Sequence, residues 1–267
     1  MSLHRIGALT LRQFYLFRGS PARNLALFTW VTVDIVLWGF ISRYLNSVAL
    51  PGLNFVPLLL GPVLLWDFMV RVMTGVSTAF FEDVWSRNFL NIFATPLTIP
   101  EYVSGIVITG IATSVLALLA MILLATLAFG FSFFAYGLML APFLLVLFLL
   151  GITLGILGSS IVLRMGPPAE WLVWPIPALL SPFAGVFYPL STLPGWMRFF
   201  SRLLPASYVF EGMRAVIANG KVSAGMLLLG GCLAVAYLLL ASWFFARIYR
   251  YAVRTGLIAR YSAETMN

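Results

Sequence analysis

The residues best suited to polar chemistry are concentrated between Glu82 and Glu101, in a stretch that separates two long apolar runs. Within this polar island, apolar residues recur at the spacing that gives a helix one apolar face. These apolar residues are Trp85, Phe89, Ile92 and Phe93. A short helix of this kind, on the water side of two membrane-spanning segments, favours docking onto another molecule.

A second group of ionisable residues, Asp34, Asp67 and Arg71, lies within otherwise apolar segments. A charge at the centre of a bilayer costs roughly 2.5–3.5 kcal/mol, so such residues normally face protein or water. Asp67 and Arg71 are four residues apart, a spacing at which side chains meet on one helix face. Asp34 lacks such a neighbour, and we expect Arg71 to be its partner. The group either locks the bundle together or lines a translocation path.

Several prolines interrupt the apolar stretch 171–190, which predicts a broken helix. The backbone carbonyls freed by such a break are tolerated in a membrane only when they are buried in protein or face a water-filled cavity. The functional interpretation is therefore a broken helix beside a translocation path.

The residues that follow predict two short helices. The first is amphipathic, runs from Trp196 to Leu204 and is ended by Pro205. The second is capped by Ser207 and carries Glu211 and Arg214 at a spacing that allows them to pair. We therefore expect residues 187–217 to form a hairpin that dips back into the outer leaflet.

The chain is poor in residues that perform catalysis or bind metal. His4 and Cys232 are its only histidine and cysteine, and Lys221, its only lysine, is followed by Val222. The sequence therefore excludes a P-loop, and it contains neither HExxH nor GxSxG. We expect no catalytic residue, no metal site and no cofactor in this chain, and an energy source in another protein.

These polar groups are positioned by an apolar framework. The 267 residues are 62% hydrophobic and 9% charged, with a mean hydropathy of +1.02. This composition predicts an all-α polytopic membrane protein, a single domain over residues 1–267. Six stretches are long enough to span: 24–42, 56–80, 102–130, 136–163, 171–190 and 224–246.

The distribution of basic residues favours an orientation with both termini in the cytoplasm, by ten to five. Cytoplasmic in that orientation are Arg5, Arg12, Arg18, Arg23, Arg87, Arg164, Arg247, Arg250, Arg254 and Arg260. Outside are Arg43, Arg198, Arg202, Arg214 and Lys221, while Arg71 lies within a span. Membrane topology thus accounts for the net charge of +8, without a nucleic-acid partner.

Residues 3–18 precede the first span and are typical of an amphipathic helix on the inner leaflet. Arg5 and Arg12 are seven residues apart and share one face of this helix. A solvated cytoplasmic segment is the alternative, although the apolar stripe argues against it.

Four features together resemble the membrane subunits of type-2 ABC exporters, and the resemblance covers the whole chain. They are the amphipathic segment 3–18, the island FEDVWSRNFLNIFATPLTIPEYVSG, the motif FAGVFYPLSTLPGWMRFFSRLLPASYVFEGMRAVI and six spans with both ends inside. The third is the most specific, because YPLSTLP is followed by LLPASY and a Gly-x-Arg.

The resemblance implies that the region 82–100 is a coupling helix against a separate ATP-binding subunit, with segment 3–18 as a second contact. The implied contact residues are Glu82, Asp83, Trp85, Arg87, Asn88, Thr95, Pro96, Arg5 and Arg12. Two copies of the chain would form the path, lined by spans two and five, with two copies of the ATPase binding ATP and Mg. The implied location is the bacterial inner (cytoplasmic) membrane.

The same resemblance implies that the hairpin 187–217 closes the path from outside, around Tyr188, Pro189, Glu211 and Arg214. The charges at Asp67 and Arg71 depart from many relatives, whose second span is apolar. A polar substrate or a bundle lock would explain that departure. The sequence leaves open whether the substrate is a drug, a lipid, a glycan or a peptide.

Two other functions remain to be weighed. A non-transporting membrane anchor that recruits an ATPase would share the docking helix, although the broken fifth span argues against it. A permease that delivers haem would require histidines near the path, and the sequence has none there.

Overall fold

The computed structural model describes residues 2–19, 21–48, 55–86, 91–92, 95–220 and 223–257, and every regular element within these ranges is helical. The predicted all-α class is therefore confirmed. In chain order the α-helices are α1 Leu3–Arg18, α2 Pro21–Val48, α3 Gly61–Trp85, α4 Ile99–Phe129, α5 Leu140–Met165, α6 Glu170–Val173, α7 Ile176–Ala184, α8 Gly195–Ser201, α9 Pro205–Asn219 and α10 Ala224–Arg254.

Within the described residues, four helical segments are long and apolar enough to cross a membrane: Val56–Trp85, Ile99–Phe129, Tyr136–Met165 and Ala224–Arg254. They coincide with the second, third, fourth and sixth predicted spans. The first predicted span lies within α2, a single helix of 28 residues. For this stretch and for the fifth, a membrane-spanning position stays a prediction.

The predicted break in the fifth stretch is confirmed. Its helical residues divide into α6, of four residues, and α7, of nine, with Trp174 and Pro175 between them. Proline has no N–H to donate and its ring crowds the preceding turn, so a continuous helix is disfavoured here. Gly185 then ends α7 in the left-handed conformation, at φ 67°.

Helix α3 lies at the centre of the bundle. Sixteen of its 25 residues are buried, compared with six of the 31 residues of α10. Two glycines of α5 allow close approach: a Cβ at Gly151 would lie 2.7 Å from the carbonyl oxygen of Met69, and one at Gly155 would lie 3.0 Å from that of Met73. The small residues of α5 therefore form a packing face against α3, which is the ordinary role of such residues in membrane helices.

One end of the bundle, the α1 end, gathers α1, the last turn of α3 and the first turn of α4. The amide nitrogen of Gln13 donates to the carbonyl oxygen of Ala79 at 3.0 Å, which attaches α1 to α3. Phe80 meets Phe245 edge to face, with ring centroids 6.1 Å apart, so the last third of α10 lies at this end as well.

The opposite end, the hairpin end, contains the start of α3 and residues 187–217. Trp66, near the start of α3, lies with its ring centroid 6.0 Å from that of Phe210 in α9. The Tyr136 hydroxyl donates to the carbonyl oxygen of Pro57 at 2.7 Å and joins the α4–α5 connection to this end. The two ends therefore carry different sets of the polar residues that the sequence singled out.

The helices around Pro205 differ from the prediction in two ways. Helix α8 ends at Ser201, three residues before the predicted end, and Pro205 begins α9. Ser207 was expected to cap that helix, but it lies inside the first turn and donates its hydroxyl to the carbonyl oxygens of Ser201 and Leu204. The prediction is wrong because proline suits the first helical position and so moves the helix start forward.

Candidate functional site

Helix α1 is attached to the end of α3 by a buried carboxylate. Arg12 Nη1 donates to Asp83 Oδ1 at 2.5 Å, and the Tyr102 hydroxyl donates to the other oxygen, Oδ2, at 2.8 Å. The Asp83 side chain has no exposed surface. A buried carboxylate is stable only when its oxygens are bonded, and here α1 supplies one partner and α4 the other.

A second carboxylate attaches α1 to the start of α4. Glu101 Oε1 accepts a hydrogen bond of 2.6 Å from the backbone N–H of Ser2, and Oε2 lies 3.5 Å from Arg5 Nη1. Oε2 also accepts from the backbone N–H of Thr98 at 2.9 Å, as part of a capping box at the start of α4. Arg5 Nη1 donates in addition to the carbonyl oxygen of Pro96 at 2.5 Å.

Apolar packing completes this attachment. Ile6 and Leu9 of α1 are buried. A Cβ at Gly105 of α4 would lie 2.3 Å from Leu9 Cδ2, so the absence of a side chain at Gly105 allows α1 to lie against α4. Helix α1 is therefore bonded to both flanks of the polar island and packed against the helix that follows it.

The predicted ATPase-contact residues divide into exposed and buried groups. Trp85, Thr95 and Pro96 are exposed, Arg5 and Arg12 remain partly accessible, and Glu82 is half-buried. The buried residue is Asp83, whose oxygens bond within the chain. Arg87 and Asn88, together with Phe89 and Phe93 of the predicted apolar stripe, lie outside the described residues. The indole N–H of Trp85 donates to Glu170 Oε2 at 2.9 Å and links the end of α3 to α6.

The charges within the bundle form one cluster. Arg71 Nη2 lies 3.2 Å from Asp67 Oδ1 and Nε lies 3.3 Å from Oδ2, so the predicted pair is present. Arg71 was also expected to pair with Asp34. Asp34 interacts electrostatically with both residues but forms no ion pair with Arg71 among the described residues, so this part of the prediction is wrong.

A cleft of about 240 Å³ between α1, α2, α3 and α4 leads from this cluster towards the α1 end. Its lining includes Arg71, four residues of α3 and α4 with hydroxyl groups, and Trp30 of α2. The hydroxyl residues are Thr74, Thr78, Thr109 and Thr113. Arg71 therefore borders an open space while it is bound to Asp67, so the geometry is compatible with a bundle lock and with a polar path.

At the hairpin end the predicted gate residues are brought together. Glu211 Oε1 accepts from the backbone N–H of Leu190 at 2.8 Å and pairs with Arg214 Nη2 at 2.9 Å. The Tyr188 hydroxyl donates to the carbonyl oxygen of Pro182 at 2.8 Å. Pro189 lies between these two connections, so α9 holds the 188–190 loop close to the end of α7.

The sequence matches the profile of a known protein family. The sequence profile described as ABC-2 type transporter matches residues 4–218, from α1 almost to the end of α9. The chain belongs to the ABC-2 type transporter family. Among curated proteins, no sequence matches it.

As an ABC-2 member, the chain is a multi-pass membrane protein and the transmembrane, permease component of an ABC transporter. The family implies an ABC ATP-binding partner for it. The matched residues include both flanks of the polar island and the α1 segment bonded to them. Helix α10 follows the matched range.

Sequence reasoning about this ABC-2 permease missed three residues that attach α1. Glu101 forms a capping box with Thr98, and the Thr-x-x-Glu spacing before an apolar run was a readable signal. Tyr102 and Gln13 gave no comparable signal, because their partners Asp83 and Ala79 are distant in sequence. Within the described residues, no group of three or more His, Cys, Asp or Glu side chains could hold a metal ion.

Proposed function

We propose that this ABC-2 permease is the membrane subunit of an ATP-driven exporter and that α1 and the polar island dock together onto the ATP-binding subunit. The observation that carries the proposal is the attachment of α1 to both flanks of the island, through Asp83 at the end of α3 and Glu101 at the start of α4. The described flanks of the island are therefore fixed to α1 by hydrogen bonds.

The attachment provides a mechanical connection. A displacement of the docked surface acts on α3 through the bond between Arg12 and Asp83, and on α4 through the bonds of Glu101. Because α3 is the central helix, its movement changes the packing of α4 and α5 together. Rigid elements that shift as units are the usual means of opening a path alternately to the two sides.

In this proposal Trp85, Thr95 and Pro96 contact the ATPase directly, together with Arg87 and Asn88 and the accessible parts of Arg5, Arg12 and Glu82. Asp83 acts as a positioning residue, because its side chain is buried within the chain. ATP and Mg bind to the partner, and this chain contributes no catalytic group.

The proposed assembly has two copies of this chain and two of the ATPase. The path runs along α3 and the broken α6–α7 segment, which supplies an interrupted backbone of the kind found beside cavities. The 187–217 hairpin dips into the outer leaflet and closes the path from outside. Both termini lie in the cytoplasm, and the membrane is the inner membrane of a bacterial cell.

The proposal is tested by purifying the tagged chain from native membranes and measuring how much ATP-binding protein accompanies it. Thr95→Arg places a long side chain on the docking surface and is expected to remove the partner. Thr192→Arg is the matched control: both threonines are exposed, and each donates its hydroxyl to the carbonyl oxygen three residues earlier.

Equal amounts of chain and ATPase in wild type and Thr192→Arg, with the ATPase lost from Thr95→Arg, support the docking surface. Retention of the ATPase by Thr95→Arg contradicts it. A non-transporting anchor would pass this test but would show no ATP-dependent movement of any compound after reconstitution with the partner. That second measurement separates the two functions.

A further inference from the structure

A cavity of about 390 Å³ opens at the hairpin end, between the 190–191 loop, α8, α9 and the first residues of α10. Its lining includes two arginines four residues apart, Arg198 in α8 and Arg202 directly after the end of α8, which border the same space. Ser191, Tyr208 and Glu211 also line it. This cavity is distinct from the α1 end, where the ATPase is proposed to dock.

The charge in the cavity is positive. Glu211 is the acidic residue of the lining, and its carboxylate is already neutralised by Arg214 at 2.9 Å. Arg202 is exposed, and within the described ranges its guanidinium has no hydrogen bond or ion pair. The charges of Arg198 and Arg202 are therefore not matched by a carboxylate of the described residues.

Arg198 also presents an unused donor. Its Nη2 donates to the carbonyl oxygens of Ser191 at 2.8 Å and Leu193 at 3.1 Å, which fixes the guanidinium at the cavity wall. Its Nε is buried and has no partner in the part of the chain that the structure describes. Buried N–H groups in proteins are almost always satisfied, so a fixed donor of this kind points to an acceptor from outside the chain.

The surroundings indicate what carries that acceptor. Trp196, Phe199 and Phe200 are exposed on the same short helix, at 62%, 61% and 51%. Tryptophan is enriched where a membrane protein meets the lipid head-group layer, and the two phenylalanines add exposed apolar surface beside it. A guanidinium has a planar fork of donors that matches the oxygens of a phosphate group, in addition to the charge attraction.

We propose that this cavity binds the phosphate group of a phosphate ester, held by Arg198 and Arg202 at the hairpin end of the bundle. The ester is either the head group of a membrane lipid or a water-soluble phosphate, because the two share the chemistry that the arginines recognise. The site does not require the ATPase, and it stands or falls independently of the exporter proposal.

The test uses the full-length chain in maltoside micelles, which contain no phosphate. Fluorescence anisotropy measures binding of a labelled short-chain phosphatidic acid, with the same labelled diacylglycerol without phosphate as the matched probe. Calorimetry measures binding of glycerol 1-phosphate, which represents the water-soluble source. Elution as a single symmetric peak shows that each variant is folded.

Arg202→Gln removes the guanidinium that has no hydrogen bond among the described residues, and it is expected to weaken binding about tenfold, the effect of losing one charge-assisted contact. Arg164→Gln is the control, because Arg164 is also exposed and lies in the last turn of α5, outside the cavity lining. Arg198→Lys keeps the charge but loses the planar fork, and we expect it to weaken binding as well.

Saturable binding of either phosphate probe that falls in Arg202→Gln and not in Arg164→Gln supports the site. Binding of phosphatidic acid alone identifies a lipid head group, and binding of glycerol phosphate identifies a water-soluble ester. The proposal is overturned if neither probe binds saturably, if the diacylglycerol binds as well as the phosphatidic acid, or if the two glutamine variants bind equally.

Discussion

The α1 end and the hairpin end both contain arginine–carboxylate pairs, but they connect very different parts of the chain. At the α1 end Arg12 and Asp83 are 71 residues apart, and Arg5 and Glu101 are 96 apart. At the hairpin end Glu211 and Arg214 are three residues apart within one helix. The first kind of pair fixes helices relative to one another, and the second stabilises a single helix.

Burial differs in the same direction. The Asp83 and Glu101 side chains are 0% and 2% exposed, whereas that of Glu211 is 27% exposed. Every oxygen of the two buried carboxylates has a partner, while Arg198 and Arg214 each retain a buried Nε that has none among the residues that the structure describes. This contrast indicates a rigid joint at the α1 end and a less completely hydrogen-bonded arrangement at the hairpin end.

The largest loss of stability is expected from Arg12→Ala. Asp83 would remain buried with the Tyr102 hydroxyl as its remaining partner, and loss of one member of a buried pair costs about 3–5 kcal/mol. Denaturant unfolding in mixed micelles measures the free energy. Arg18→Ala, at an exposed position in the last turn of α1, should change it by less than about 0.5 kcal/mol. Equal losses in the two variants would show that the bond between Arg12 and Asp83 does not stabilise the α1 end.

A double substitution sharpens this test. Asp83→Asn combined with Arg12→Gln removes both charges and leaves groups that can still form hydrogen bonds. The double variant should therefore lose less stability than the sum of the two single losses, by about 1–3 kcal/mol. Additive losses from the same unfolding measurements would show that Arg12 and Asp83 do not act as a pair.

A smaller loss of stability is expected from Asp67→Asn, at a position between the two ends of the bundle. Arg71 would lose a charged partner, which is worth about 1.5–3 kcal/mol, but the adjoining cleft gives its guanidinium some access to water. The free energy of unfolding should therefore fall by about 2 kcal/mol. The variant Asp67→Asn with Arg71→Gln should recover part of this loss, and a greater loss in the double variant would contradict the pairing.

The smallest loss of stability is expected from Glu211→Gln, at the hairpin end. The amide oxygen can still accept from the Leu190 N–H, and the lost pair with Arg214 is local and partly exposed. Pairs of this kind contribute about 0.2–1 kcal/mol. Thermal unfolding should show a shift in midpoint much smaller than that of Arg12→Ala. A comparable shift would mean that the hairpin is held as firmly as α1.

Part of this contrast could be predicted from the sequence. Asp67–Arg71 and Glu211–Arg214 follow from helical spacing alone, and the break at Pro175 follows from the missing N–H of proline. The bond between Arg12 and Asp83 could not be predicted, because it depends on how α1 folds back against α3 across 71 residues. The short α8 was mispredicted because the apolar spacing continues beyond Ser201 although the helix does not.

Backbone hydrogen exchange of the full-length chain compares the two ends most directly, since each amide exchanges at a rate set by local opening. We predict that amides of α1 exchange as slowly as those at the end of α3 and the start of α4, and much more slowly than those of residues 187–204. In Arg12→Ala the protection of α1 should fall while that of 187–204 stays unchanged. Exchange of α1 in the wild type as fast as that of 187–204 would contradict the rigid joint.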